Sequence, residues 1–349
     1  MTPVIAYLSR AVGAPGPTLV MDRAALPAGE EALLAALADI RRRLPEVSGA
    51  EVLKLALIGP ARHPLYDLDY RFVQAMPGAP DRFDLRGNCG HSILAAITAA
   101  ERMGLLPRLA PGQRVRVNAL NNGDRVVCEV DQAGRRGSVF TAHFLAEPGT
   151  RLGSLLMTGK PVSEGAAAVA SSYVRMGNPY IFVDAADLGV RHQDGLFRDD
   201  RKLFAALTRL REDAAVRLGW APEGAFPKIA AVASFRPGRL AVRALTVPGW
   251  HPGLALTGVV CLAAATAIGG TVPNRLLGPD RAAAGRIAVD TPGGPVTAAC
   301  ATTGDSTDDE LMWISVGEKE SNPVGPVNLG PLTVTPMPEE AAPCLSLSA

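Results

Sequence analysis

Short apolar blocks with the period of strands and longer ones with the spacing of helices alternate along the chain. Thr18-Leu19-Val20-Met21 reads as a strand followed by Asp22. A helix pattern covers 30–44, and 52–58 is a strand with one lysine, Lys54, among apolar neighbours. Residues 70–74 alternate like a further strand. Gly87-Asn88-Cys89-Gly90 then opens an Ala-rich helix ending near Gly104, and strands follow at 114–119 and 125–130.

The same order returns in the second half. Tyr180-Ile181-Phe182-Val183 is a strand followed by Asp184, and a helix pattern covers 201–218. Lys228 leads a strand over 228–232, and 240–247 is the next strand. Thr257-Gly258 opens a second Ala-rich helix ending near Gly269, with strands after it at 286–289 and 295–299. Lys54 and Lys228 stand 174 residues apart, and Cys89 and Thr257 168 apart, both close to half the chain.

Strands often follow strands, so neither half is a series of strand–helix–strand crossovers. The Ala-rich helices are apolar nearly all round, as helices enclosed by sheet must be. The expected class is therefore α+β: two pseudo-symmetric domains, each a mixed curved sheet around a central helix. Gly159-Lys160-Pro161 and 164–170 mark a linker, dividing the chain into 1–165 and 166–335 with a loose tail over 336–349. Leu332-Thr333-Val334-Thr335 reads as a final strand, whose return to the first domain stays open.

Composition narrows the function. The chain has 349 residues, 48% of them hydrophobic, enough for two cores. Lys+Arg number 35 against 34 Asp+Glu, which gives no electrostatic case for nucleic acid or an anionic membrane. Arg41, Arg42 and Arg43 read as a helix C-terminal turn, where cations suit the macrodipole. The longest apolar runs fall short of the roughly 20 residues of a membrane helix, and 1–8 is too short and too weakly apolar for a secretory signal. Cys89, Cys128, Cys261, Cys300 and Cys344 are odd in number and widely spaced, which points to a reduced, cytoplasmic protein. No metal-ligand spacing and no phosphate loop appears, so neither metal nor cofactor is expected. Assembly as a homodimer stays open.

The candidate chemistry centres on Gly87-Asn88-Cys89-Gly90-His91. Asn88 suits an N-cap, free helix-start amides bind anions, and a first-turn thiol has a lowered pKa. A capped helix with a buried cysteine gives the same pattern. Lys54 is either a buried base or a lysine on the wet face of a strand. Lys228 follows Pro227 and starts its strand, which favours the structural reading there. Thr257-Gly258 keeps a backbone anion site without a thiol. His251 lies just before that helix, either near an anion or in a plain loop. Cys128, Cys261 and Cys300 read as core.

These segments also carry a resemblance. Gly87-Asn88-Cys89-Gly90, Met157-Thr158-Gly159-Lys160-Pro161-Val162, Gly177-Asn178-Pro179, Pro227-Lys228-Ile229-Ala230 and Leu256-Thr257-Gly258-Val259-Val260-Cys261 occur in an order that resembles the PrpF-type family. That family includes 2-methylaconitate cis–trans isomerase, methylitaconate isomerase and 4-oxalomesaconate tautomerase. The resemblance covers nearly the whole chain. It implies a diaminopimelate-epimerase-like fold with the active site between two lobes. It implies cofactor-independent allylic proton transfer on a small unsaturated carboxylic acid, with Lys54 and Cys89 as proton-transfer groups. Substrate-binding residues then include Arg10, Asn88, Gly90, His91, His251, Thr257, Gly258, Thr291 and Gly293. The chain departs from the family in several loops: at 10–16, where the arginine stays but the hydroxyls and lysine are gone; at His91, usually Asn; at Thr291-Pro292-Gly293-Gly294, usually His-Pro-Ser-Gly; and at Gly49-Ala50-Glu51, usually rich in Ser and Thr. These loops bear on substrate choice more than on proton transfer. Two other readings remain: a non-catalytic small-acid-binding homologue, and an amino-acid epimerase, against which Thr257 stands where a second thiol would be needed.

Overall fold

The computed structural model describes residues 4–48, 51–164, 169–246, 249–278 and 285–332. In the first half, β1 (Ile5–Ala11), β2 (Thr18–Asp22), α1 (Glu30–Ser48), β3 (Lys54–Pro60), β4 (Leu68–Ala75), β5 (Phe83–Asp84), α2 (Gly90–Arg102), β6 (Arg114–Ala119), β7 (Arg125–Ala133) and β8 (Ser138–Leu145) follow in turn. The second half has β9 (Ser163–Glu164), β10 (Ala170–Met176), β11 (Asn178–Asp184), α3 (Gln193–Phe197), α4 (Arg201–Arg217), β12 (Lys228–Arg236) and β13 (Arg239–Ala244). It ends with α5 (Leu256–Ala267), α6 (Val272–Leu277), β14 (Arg286–Thr291), β15 (Gly294–Thr302) and β16 (Leu311–Asn328).

One sheet runs β1-β2-β3-β4-β6-β7-β8-β16 and continues β15-β14-β13-β12-β11-β10-β9. β1 also pairs with β16, so the first eight strands close on themselves. The pairing types repeat: β2–β3 and β4–β6 are parallel in the first lobe, β11–β12 and β13–β14 in the second. All other described ladders are antiparallel. The internal duplication is thus a property of the fold, with mixed sheet around a helix in each lobe.

Strand alternation sorts side chains onto two faces. Leu19, Met21, Leu55 and Leu57 pack with Leu33, Leu37 and Ile40 of α1 on the outside. Val20, Ala56 and Ile58 face inward with Ile93, Leu94 and Ile97 of α2. The second lobe repeats this, with Ile181, Val183, Ile229 and Ala231 against Leu203, Leu207 and Leu210 of α4. Tyr180, Phe182, Ala230 and Val232 share the inner core with α5. That inner core is continuous through both lobes. Side chains of this size contribute about 1.5–3 kcal/mol each when fully buried. α2 is buried from Gly90 to Ala100 and α5 from Leu256 to Thr266, which explains their lack of a polar face.

Two expectations are corrected. α1 does not end at 44 but continues through Pro45 to Ser48, so Arg41, Arg42 and Arg43 lie inside it. Arg41 donates to the carbonyls of Met76 and Ala79, and Arg43 to the Leu329 carbonyl and the Asp39 carboxylate. These arginines tie neighbouring segments to the helix and do not complement its end. The chain after Glu320, rich in Pro and Gly at Pro323, Gly325 and Pro326, gives no strand signal in the sequence, yet it continues β16 to Asn328. The strand tolerates them because its ladders are broken by bulges, near Val316–Lys319 against β8 and at Leu8/Ser9 of β1. The expected strand residues 333–335, the tail 336–349, Cys344, Gly49, Ala50, Val247 and the boundary at 165 lie outside the described residues.

The lobes also meet through Phe226, whose ring lies on Gly87. A Cβ at Gly87 would stand 2.0 Å from the ring carbon Cζ, so only glycine allows this approach. Gly87→Ala is expected to destabilise the protein by about 1–3 kcal/mol through overpacking. Urea unfolding checks this, and an unchanged midpoint would show that the Phe226 contact is not held.

Candidate active site

The inner helices begin against each other. A Cβ at Gly90 would lie 2.5 Å from Leu256 Cδ2, so the first turn of α2 touches that of α5. The Ile93 N–H donates to the Cys89 carbonyl, so the amides of Gly90, His91 and Ser92 precede any acceptor within their own helix. Val259 donates to the Ala255 carbonyl, which leaves Leu256, Thr257 and Gly258 in the same position in α5. Gly258 is required there, because a Cβ would stand 2.6 Å from the Tyr180 hydroxyl.

A polar clasp holds this junction. The Asn88 N–H donates to Asn178 Oδ1 at 2.9 Å, and Asn178 Nδ2 donates to the Asn88 carbonyl at 2.7 Å. Asn178 Nδ2 also reaches Thr257 Oγ1 at 3.1 Å, joining both helix starts. Asn88 is not the N-cap expected from sequence. Cys89 takes that position, without a side-chain capping bond. Asn88 Oδ1 accepts the Cys89 N–H at 2.6 Å instead, and its Nδ2 donates to Asp124 at 2.9 Å. Asn122 donates to the same carboxylate oxygen. Burial raises the Asp124 pKa, and these two bonds oppose that shift. Cys89 is 9% exposed, and its carbonyl accepts from the Tyr70 hydroxyl.

Lys54 and Lys228 begin β3 and β12, at matching positions beside Thr18 of β2 and Tyr180 of β11. Each has the parity of the inward-facing residues that follow it. Lys228 Nζ lies 5.0 Å from the centre of the Phe226 ring. Desolvation lowers the Lys228 pKa to about 8; Arg211 and Lys54 push the same way, while Asp84 and Cys89 oppose. Lys319, on β16 beside the bulge, is also lowered by desolvation.

His91 and His251 are buried, with rings stacked 6.2 Å apart. Burial pushes His91 well below its usual pKa, and the charges of Lys54, His251 and Lys319 add to this. His251 falls to about 3, first from burial and then from Lys54. Its Nδ1 accepts the Gly253 N–H at 3.1 Å, whereas His91 Nδ1 has no partner among the described residues. Thr291 and Gly293 back this corner: a Cβ at Gly253 would sit 3.2 Å from Thr291 Oγ1, and one at Gly293 3.0 Å from the Pro252 carbonyl. The Thr291 hydroxyl itself donates to the Gly294 carbonyl.

The structure therefore gathers Asn88, Cys89, Gly90, His91, His251, Thr257 and Gly258 at one junction, with Lys54 close enough for its charge to act on both histidines. Arg10 is exposed on β1, paired with Asn322. Sequence reasoning gave no role to Asn178, Asp124, Lys228 or Lys319. The duplication already offered Lys228 as the mate of Lys54, and Asn178 lies in a quoted motif. Lys319 belongs to the strand that its prolines concealed. Cys128 and Cys261 are buried, Cys300 is half-buried, and burial raises all three thiols, Cys261 and Cys300 to about 12. Among the described residues no His, Cys, Asp or Glu group could hold a metal ion, and no helix is long and apolar enough to cross a membrane.

Two duplicated α+β lobes with inner helix starts in contact place the chain in the two-lobed fold that it shares with the solved structures of a methylitaconate-delta-isomerase and a probable proline racemase. The solved methylitaconate-delta-isomerase superposes with a TM-score of 0.65 at 21% identity, covering 94% of this chain and 96% of that one. A sequence model described as PrpF protein matches residues 46–316, and the chain belongs to the PrpF family. Among curated relatives, 3-methylitaconate isomerase of Eubacterium barkeri is 27% identical over 281 residues, 68% of this chain and 73% of the relative. The 4-oxalomesaconate tautomerase of Pseudomonas putida is 25% identical over 278 residues, 73% and 76% of the two chains.

Two measurements test the site. Asn178→Ala strands buried polar groups of Asn88 and should cost at least about 1–3 kcal/mol by urea unfolding; a smaller loss would mean that the clasp is replaceable. The histidines set a pH dependence. His251 has its pKa depressed in the folded state, so the unfolded chain binds more protons between the two values. Its contribution to stability is whole above about 6.5 and drains away as pH falls towards about 3; His91 acts in the same direction. Denaturation midpoints across that range should fall less steeply for His251→Asn than for wild type, and parallel slopes would contradict the neutral, buried imidazole.

Proposed function

We propose that this protein is a cofactor-independent isomerase that shifts a proton along an allyl unit of a small unsaturated di- or tricarboxylate. The observation that carries this reading is the Cys89 thiol at the meeting of two helix N-termini, among lysines and neutral histidines. Unpaired helix-start amides and ammonium groups suit carboxylates. A thiol and an amine suit proton transfer to and from carbon. The names of the isomerase and tautomerase relatives support the same class of substrate and reaction.

In the proposed cycle one carboxylate rests on the amides of Gly90 and His91, and another near Thr257 and Gly258. Lys54 acts as the base and takes a proton from the carbon next to the conjugated system. The C–H bonding pair enters that system, the double bond moves, and charge collects on a carboxylate held by amides that need no reorganisation. The Cys89 thiol gives its proton to the far carbon, and the Lys54 ammonium then restores the thiol. His91 and His251, neutral, offer hydrogen bonds without adding charge. Thr291, at the end of β14, and Gly293, in the turn after it, back His251 and bear on substrate choice, as does Arg10 on β1 beside its loop. Epimerisation between two thiols is disfavoured, because the second helix start carries Thr257 in place of a thiol, its hydroxyl accepting from Asn178. Among the described residues four cysteines are unpaired, which agrees with a reducing, cytoplasmic setting.

Incubation in heavy water with itaconate, mesaconate and aconitate tests the reaction class. Deuterium should enter carbon in at least one acid, whereas binding that only raises the melting temperature would make the protein a non-catalytic acid binder. Cys89→Ala should lower turnover by about 10²–10⁴-fold, and activity within about twofold of wild type would remove the thiol from the mechanism. Lys54→Arg should be inactive, since guanidinium stays protonated; an active variant would assign Lys54 to carboxylate binding.

A further inference from the structure

Lys228 is the one lysine of the duplicated pair to which sequence reasoning gave no task. It comes from the lobe opposite Cys89. Its segment is docked against the cysteine loop, because Phe226 lies on Gly87. The same ring sits under the Lys228 ammonium. No acid among the described residues forms an ion pair with Lys228. Asp84, whose charge reaches it, is held by Arg86 at 2.7 Å and by the Ala225 N–H. Other charged or titratable groups acting on it are Arg211 from α4, Lys54 from β3 and Cys89 at the start of α2. Arg211 itself is turned to the carbonyls of Pro222 and Gly224. An ammonium with no ion pair among the described residues is thus joined through the Phe226 ring to the loop that carries Cys89, near enough for its charge to act on the thiol. A cation beside a helix N-terminus suits an anion.

We infer that Lys228 is a further catalytic residue, whose ammonium contacts from the second lobe the substrate carboxylate on which negative charge builds as Lys54 removes the proton. This rests on the isomerase reading above. No proton is transferred by Lys228: the C–H pair flows into the conjugated carboxylate, and the ammonium balances the added charge. The role differs from that of its mate, because Lys54 must be able to lose its proton and Lys228 must keep it. The depressed Lys228 pKa, about 8, gives the free enzyme a working ceiling, above which the ammonium is lost. A carboxylate bound beside it would raise that value and so favour binding below the ceiling.

The experiment compares wild type, Lys228→Met and Lys228→Arg in two assays. With whichever acid exchanges deuterium in wild type, Lys228→Met should lose about 10²–10³-fold in kcat, and Lys228→Arg should recover most of that loss. Wild-type kcat/KM should carry a descending limb near pH 8 that Lys228→Arg lacks. Calorimetric binding of succinate, an unreactive dicarboxylate, should weaken through the same pH range in wild type but not in Lys228→Arg. This second assay needs no turnover, so failure of the isomerase reading leaves it readable. Thermal unfolding shows whether the Met variant is folded; if it is not, the comparison of wild type with Lys228→Arg decides. An Arg variant as inactive as the Met variant would overturn the inference, as would full activity of Lys228→Met or a succinate affinity with the same pH dependence in wild type and Arg variant.

Discussion

The exchange of hydrogen bonds between Asn88 and Asn178 fixes where everything else can stand. Both side chains are buried, so their polar groups are costly unless paired, and they are paired across the lobes. Through Thr257 the same amide reaches the second helix start. One contact therefore sets the distance between two helix N-termini, the presentation of Cys89 and the orientation of the Asp124 carboxylate. A hydrophobic junction of the same size could bring the lobes together, but would not fix their register to the tolerance that proton transfer requires.

Around that clasp the electrostatics are lopsided. Lys54, Lys228 and Lys319 contribute cations, the helix starts contribute partial positive charge, and nearby acids are engaged with Asn88, Asn122 or Arg86. Burial is the first cause of the lowered Lys228 pKa, and repulsion from Arg211 and Lys54 adds to it. An anionic ligand relieves the repulsion. Keeping His91 and His251 neutral limits the excess.

Much of this was legible in the sequence because duplication doubled each signal. The Ala-rich helices, the helices over 30–44 and 201–218 and the strands beside them each appeared twice, and β6 and α4 lie close to their expected limits. Cys89 stood out through the family resemblance, since a capped helix with a buried cysteine gives the same local pattern. Asn88 was read as an N-cap but bonds across to Asn178, since a capping residue and one that reaches across a lobe boundary look alike in one dimension. Arg41 and Arg43 were misread for a related reason: Pro45 suggests a helix end, yet their partners lie on segments distant in sequence. Lys319 could not be seen at all, because a strand containing two prolines and two glycines has the composition of a loop.

The path of β16 has a consequence for how the molecule is made. Its first stretch pairs with β8 and β15, and its last with β1, closing the first lobe with residues from the far end of the chain. During synthesis the N-terminal lobe therefore leaves the ribosome with two open sheet edges, β1 and β8, that nothing local can seal. Those edges wait for the second lobe to be translated before their partner exists. A truncation between β8 and β9 that looks natural from the internal repeat would yield a fragment prone to pairing with other copies of itself. The lobe that is translated first is completed last, and chaperone demand should fall on it.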